Sequence, residues 1–302
     1  MTAIQVNGIR LEYELRGPEN GTPMLLIIGL ACQLTLWPEP FLQALSEAGF
    51  RLVLVDNRDV GLSQKMKGSP NFPKILLQRL LLGRGKAPYS LEDMAADSMG
   101  LMDALGFDRF YIVAASMGAM IGQICAIQHP HRILGLVSMM SNTGKIFTRQ
   151  PRMSLVYHLL KSKPKRPDRD GHIEHLMSIW RCLGSSDYPM NEVRLREAMA
   201  QQVDRSTDRG GVLRQAAAII AAGSRVADLK KLRVPTLVIH GSKDPLIPLS
   251  GGRETARCIP NAEFHIIPGM GHELPEPLQL PISDLILNFI NQRNPVVADS
   301  DG

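Results

Sequence analysis

Residues 111–123 read YIVAASMGAMIGQ, which sets one hydroxyl, Ser116, between Ala114 and Gly118, after an apolar run and ahead of a helical pattern. A serine hydroxyl is a poor nucleophile near neutrality. To attack, it needs a base within hydrogen-bond reach and a third group that orients the base. It also needs exposure, which a tight turn from strand into helix supplies. Such a turn crowds its own backbone, so the positions two before and two after must be small. Two later segments offer the other groups: LVIHGSKDPLIP holds Asp244, and IIPGMGHELPEP holds His272. Each follows an apolar run that reads as a strand, so all three side chains are expected at one edge of a sheet. His272 would take the proton of Ser116, and Asp244 would fix the imidazole tautomer. Blander roles exist for each: a helix cap for Ser116, a turn start before Pro245 for Asp244, a loop histidine for His272. His240 is expected to end a strand and pack there. His172 and His175 have the i, i+3 spacing of a metal pair, but no further ligands surround them, so they are expected in solvent and no metal site is assigned.

The elements that must position these groups alternate along the chain. An N-terminal hairpin turns at Asn7-Gly8. Strands are expected at 23–30, 51–59, 109–115, 132–140, 235–241 and 262–269. Helices are expected at 38–50, at 90–107, where Ser90 and Asp93 have capping-box spacing, from Met117, and at about 277–291. Continuous apolar strands separated by helices imply a mostly parallel sheet covered on both faces, an α/β fold. After Met140 the strands stop, and residues 142–230 carry only helical patterns, too long for a plain loop. The expected organisation is a core of 1–141 and 231–295, a helical cap inserted at 142–230, and a frayed tail at 296–302.

The 302 residues allow a substantial core, and 44% hydrophobic with 21% charged residues is an ordinary globular balance. A net charge of +5 is too mild to argue for nucleic acid. Five bases and two acids gather in KSKPKRPDRD at 161–170, which reads as a solvated loop. No window has the length of a membrane span, and the N-terminus lacks the pattern of a signal peptide. Cys32, Cys125, Cys182 and Cys258 are widely separated with no CxxC pair, so free thiols and a cytoplasmic location are expected. The absence of a P-loop or a G-x-G-x-x-G run argues against nucleotide chemistry.

The context of Ser116 resembles the nucleophile elbow of the α/β-hydrolase superfamily, G-x-S-x-G, here with Ala114 in the first glycine's place. The order Ser116, Asp244, His272 is also that superfamily's order. Some relatives carry the acid after an earlier strand, where this chain has Ser141-Asn142 and no carboxylate. The resemblance implies an oxyanion hole made by the backbone N–H groups of Met117 and Leu30, with Ala31 as the second choice. VDNRDVGLS at 55–63 resembles the family's D-x-R-G-x-G-x-S loop, with Arg58 and Asp59 expected to pin loops near the site. Within the superfamily, IGLACQLTLWPEPF, DNRDVGLS, ASMGAMIGQ and IPGMGH are most similar to aclacinomycin methylesterase-type enzymes and cofactor-free haloperoxidase-like esterases. The implied function is a cofactor-free serine carboxylesterase acting on a hydrophobic small-molecule ester, from short acyl esters to a natural-product ester or lactone, through an acyl-enzyme on Ser116. A perhydrolase, haloperoxidase or acyltransferase would use the same triad with another acceptor, and a small-molecule binding protein could keep the scaffold. Met153, Leu155, Leu159, Leu160, Met177, Met190 and Met199 are expected mostly to pack the cap, with a few lining an apolar pocket. A monomer or homodimer is expected.

Overall fold

The computed structural model describes residues 2–145, 153–161 and 163–293. The expected tail at 296–302 falls outside them, as do the side chains of Met153 and Leu160.

The chain opens with the hairpin of β1 (Thr2–Val6) and β2 (Ile9–Arg16), turned at Asn7 and Gly8, both at positive φ. Next come β3 (Thr22–Ile27), α1 (Glu39–Glu47), β4 (Phe50–Val55), α2 (Phe72–Leu82), α3 (Leu91–Ala104), β5 (Phe110–Ala115), α4 (Met117–Gln128) and β6 (Ile133–Met139). Four helices then follow with no strand among the described residues: α5 (Met153–Lys161), α6 (Arg169–Leu183), α7 (Glu192–Arg205) and α8 (Arg209–Ala221). The short α9 (Val226–Leu229) leads into β7 (Thr236–Gly241), α10 (Leu249–Cys258), β8 (Glu263–Ile267) and α11 (Gln279–Arg293).

The eight strands form one sheet in the order β1-β2-β4-β3-β5-β6-β7-β8. From β4 to β8 every neighbouring pair is parallel, and only β2, antiparallel to both β1 and β4, runs against the rest. The expected α/β fold is therefore the observed one. Both faces are buried, which is why the central strands are unbroken apolar runs. Along β3, Leu25 and Ile27 join the layer under α3 and α4, while Met24 and Leu26 join the layer under α1 and α11. The connection after β3 runs to β4 on one side, and the connection after its neighbour β5 runs to β6 on the other. The crevice outside the carboxyl ends of β3 and β5 is thus a topological switch point, where open α/β sheets bind ligands.

Two helices have no counterpart in the sequence expectations. α2 carries leucines around most of its circumference, so no single apolar stripe marks it. α10 buries Gly251, Gly252, Thr255 and Cys258, a face of small residues that does not read as apolar. It must be small, because a Cβ at Gly252 would stand 2.5 Å from Nδ1 of the His240 ring. The Ser90–Asp93 capping box at the start of α3 is present with both reciprocal bonds. In the basic 161–170 stretch, the last two residues begin α6, with Asp168 accepting from the Gly171 N–H as its N-cap.

Candidate active site

Ser116 sits between β5 and α4 with φ 56° and ψ −120°, a strained backbone for a residue with a side chain. The turn is held by the Ser116 N–H donating to the Met139 carbonyl at 2.9 Å, and by the Ser141 hydroxyl donating to the Ser116 carbonyl at 2.8 Å. Gly118 is required: a Cβ there would run into the carbonyls of Ile27 and Ile28. Above Ala114, α4 presents Gly122, where a Cβ would lie 3.1 Å from Ile112 Cγ2 and Leu136 Cδ1 and 3.4 Å from the Ala114 methyl. On the other side, a Cβ at Gly29 would lie 3.1 Å from the Ser116 Cβ, so the loop after β3 approaches the hydroxyl closely.

Asp244 follows β7 and is buried. Its Oδ1 accepts from the N–H groups of Leu246 at 2.9 Å and Ile247 at 2.8 Å, an Asx turn closed over Pro245. That leaves Oδ2 facing His272 Nδ1 at 2.7 Å. A carboxylate only accepts, so Nδ1 carries the proton and the Nε2 lone pair is free to accept from Ser116 Oγ, 3.0 Å away. The structure therefore brings the three predicted side chains, 116, 244 and 272, into one hydrogen-bonded chain at the carboxyl edge. Such a chain can move a proton from a hydroxyl to an imidazole when the hydroxyl oxygen bonds elsewhere.

The Met117 N–H, first in α4, has no intrahelical acceptor and lies at the positive end of the helix dipole. The Ala31 N–H, the second choice for an oxyanion donor, is instead committed to Gln215 Oε1 at 2.9 Å.

A cavity of about 320 Å³ lies over Ser116. The loop after β3, the end of β6 and helices α6 to α8 enclose it; Trp37, Met140, Leu176, Ile179 and Trp180 are among its apolar lining. Of the residues expected to pack the inserted helices, Leu159 and Met199 also reach the cavity, while Met177 and Met199 pack with Ile173 and Leu195. Cys32 faces the same space, and its burial pushes the thiol up to about 12, so it stays protonated.

His240 is fully buried at the end of β7, where Nε2 donates to the Ile247 carbonyl at 2.8 Å and supports the Asp244 turn. Burial, against the attraction of Asp244, lowers its pKa and keeps the ring neutral. The expectation for His172 and His175 needs correction: both are half-buried on α6 and line the cavity rather than standing in solvent. Amphipathic α6 turns the same face to the cavity that its spacing marks, and sequence alone could not show what that face meets. Among the described residues no cluster of potential metal ligands exists.

Arg58 and Asp59 do pin loops. Arg58 donates twice to the buried Asp97, at 2.5 and 2.6 Å. Asp59 receives two bonds from Arg214 of α8, at 2.9 and 2.8 Å. Burial works against the Asp59 charge, but the bonds from Arg214 and the Met66 N–H win and hold its carboxyl below the usual range.

Several supporting residues were not anticipated. Gln215, wholly buried, bridges the Ala31 N–H and the Arg58 carbonyl, the latter at 2.8 Å. Arg205 joins Gln33 Oε1 at 2.6 Å and Asp56 Oδ2 at 2.9 Å. The His272 loop is tied to the end of α6: the His272 N–H donates to Leu183, the Gly271 N–H to Ser185 Oγ, and the Ser185 N–H to Glu273 Oε1, all at 2.8–2.9 Å. Burial raises the Glu273 carboxyl above its ordinary range. Only Gln215 leaves a trace in the sequence, as the lone amide beside an Ala-Ala-Ala-Ile-Ile run.

Comparison with known proteins agrees with this architecture. Rhodomycin D methylesterase DnrP of Streptomyces peucetius is 26% identical over 298 residues, covering 92% of this chain and 94% of that protein. The enol-lactonase of Burkholderia xenovorans LB400 superposes with TM-score 0.75 at 23% identity, covering 96% of this chain and all of that one. The meta-cleavage product hydrolase CumD of Pseudomonas fluorescens IP01 also gives 0.75, at 19% identity, covering 97% of this chain and 98% of its own. The family model for the alpha/beta hydrolase fold matches residues 22–276, and with the sheet order and switch point above, the chain belongs to that family.

Proposed function

We propose that the protein is a serine hydrolase of small, hydrophobic carboxylic esters, with Ser116 as nucleophile, His272 as base and Asp244 as its orienting acid. The observation that carries this reading is the pair of distances, 3.0 Å from Ser116 Oγ to His272 Nε2 and 2.7 Å from His272 Nδ1 to Asp244 Oδ2, beneath an apolar cavity. The similarity to a methylesterase along most of the chain supports ester cleavage. In the proposed reaction the Ser116 proton passes to His272 Nε2 as Oγ bonds the ester carbonyl carbon. The oxyanion accepts from the N–H groups of Met117 and Leu30, a type of contact worth about 3 kcal/mol per donor in the transition state. The tetrahedral intermediate collapses, the C–O bond breaks, and His272 returns its proton to the departing alkoxide. Water then repeats the sequence on the acyl-enzyme and releases the acid. Residues 142–230 act as a cap: the alcohol and acyl groups lie against Leu176, Ile179, Trp180 and Met199.

The test is kinetic and covalent. Ser116→Ala should lower kcat on p-nitrophenyl acyl esters by more than about 10³-fold with an unchanged Tm. A fluorophosphonate probe should label the wild type on the peptide bearing Ser116. Ordinary turnover by the alanine variant, or labelling elsewhere, removes the assignment.

A further inference from the structure

Five of the ten large apolar side chains exposed among the described residues lie on α2: Leu76, Leu77, Leu80, Leu81 and Leu82, each 51–73% exposed. Positions 76, 77, 80 and 81 form one continuous stripe on a helix. Their exposure is not fraying. Asn71 caps the helix by accepting from the Lys74 N–H, and Gly83 ends it in the left-handed region. The opposite face is fastened down: Ile75 packs on Ala217 and Ala221 of α8, and the Arg79 guanidinium donates to the carbonyls of Gly83 and Gly144. A rigid helix therefore holds a leucine stripe out to water, a contiguous patch rather than the scattered single residues of an ordinary surface.

The charge around the stripe is one-sided. From Val60 through Leu91 there is no Asp or Glu, against six bases, although the whole chain carries 34 Lys and Arg to 29 Asp and Glu. Lys67, Lys74, Arg84 and Lys86 of those six are exposed. A second copy of the chain docking symmetrically here would bring these exposed bases against their own counterparts. A partner that is apolar beneath and negative at its surface fits both features. We propose that α2 and its basic flanks dock the protein on an anionic phospholipid surface. The leucines enter the headgroup–acyl boundary, and the four exposed bases meet lipid phosphates.

The position of the helix gives the docking a use. A cleft of about 510 Å³ runs between Gly68–Phe72 and the start of α8, and two of its lining residues, Arg209 and Leu213, also line the cavity over Ser116. Resting on the proposed ester hydrolysis, this places a bilayer, where hydrophobic esters concentrate, beside the hollow that receives them.

The full chain would be sedimented with vesicles of phosphatidylcholine alone and of phosphatidylcholine with a quarter phosphatidylglycerol, at low and physiological salt. Binding should favour the anionic vesicles and weaken with salt. The pair Leu77→Ser and Leu81→Ser, and separately the pair Lys74→Glu and Arg84→Glu, should each weaken it by about tenfold or more. Unchanged Tm verifies folding, and p-nitrophenyl acetate hydrolysis, measured apart, reports on the active-site proposal rather than on docking. Equal binding to both vesicle types, no binding to either, or variants that bind as the wild type does would overturn the proposal. So would a dimer that the leucine substitutions convert to monomer with vesicle binding unaltered, since the stripe would then belong to an interface between copies.

Discussion

The Asx turn at Asp244 makes its amide a sharp probe of the hydrogen-bond chain. In Asp244→Asn the carbonyl oxygen must stay where Oδ1 now accepts two backbone N–H groups, at 2.9 and 2.8 Å, because an NH₂ there would face two donors. The side-chain amide cannot flip, so its NH₂ takes the Oδ2 position, 2.7 Å from His272 Nδ1. Two donors then oppose each other until the imidazole changes tautomer and moves its proton to Nε2. That proton points at Ser116 Oγ, and the base is lost. Loss of the correct tautomer in such a triad costs about 10⁴-fold in kcat, or about 5.5 kcal/mol of barrier. The fold should barely notice, since one buried hydrogen bond replaces another, with a change below about 1 kcal/mol. The assay is kcat/KM on p-nitrophenyl acetate across pH, paired with urea unfolding. Activity should recover partly at high pH, where the small population with an unprotonated Nε2 is drawn on by hydroxide. A variant within tenfold of wild type at neutral pH would refute both the fixed amide orientation and the role of His272 as the base.

Two further outcomes follow from the same site. Gly118→Ala should destabilise the protein by about 1–3 kcal/mol in urea unfolding, because the methyl has only the Ile27 and Ile28 carbonyls to push against; kcat should fall with it as the elbow shifts. Glu273→Gln keeps the acceptor for the Ser185 N–H and removes a carboxyl whose folded pKa lies above the ordinary 4.5 through burial. The folded state holds that proton to higher pH than the unfolded chain, so the wild type loses stability as pH rises through 4.5 towards the folded value. The substitution should therefore raise Tm near neutrality and leave it unchanged in mild acid below 4.5; a gain confined to acid would contradict the burial of the charge.

The parallel sheet was legible because strands buried on both faces are mostly apolar, as β3, β5, β6 and β7 are despite Ser138, Thr236 and His240. The helices at 39–47 and 91–104 were legible from a single apolar stripe and, in α3, from its cap. α2 and α10 were not, for opposite reasons: one turns its leucines to water and buries only Ile75 and Arg79, and the other buries glycines. The three side chains at 116, 244 and 272 could be named from the strands they follow, since parallel strands deliver their carboxyl ends to one edge. Their hydrogen bonds could not, because those depend on a sub-ångström fit between loops that are far apart in the chain.

The sequence by itself determined the α/β layering, the serine-bearing turn and the groups available beside it, since periodicity and small residues are local properties of the chain. Only the tertiary structure decided what meets what. Glycine at 118 clears the carbonyls of Ile27 and Ile28, the Ala31 N–H is taken by Gln215, and the face of α6 bearing His172 and His175 turns to the cavity. Each of these is a contact between surfaces that come together only when distant segments pack, and no spacing along one segment encodes its partner's position.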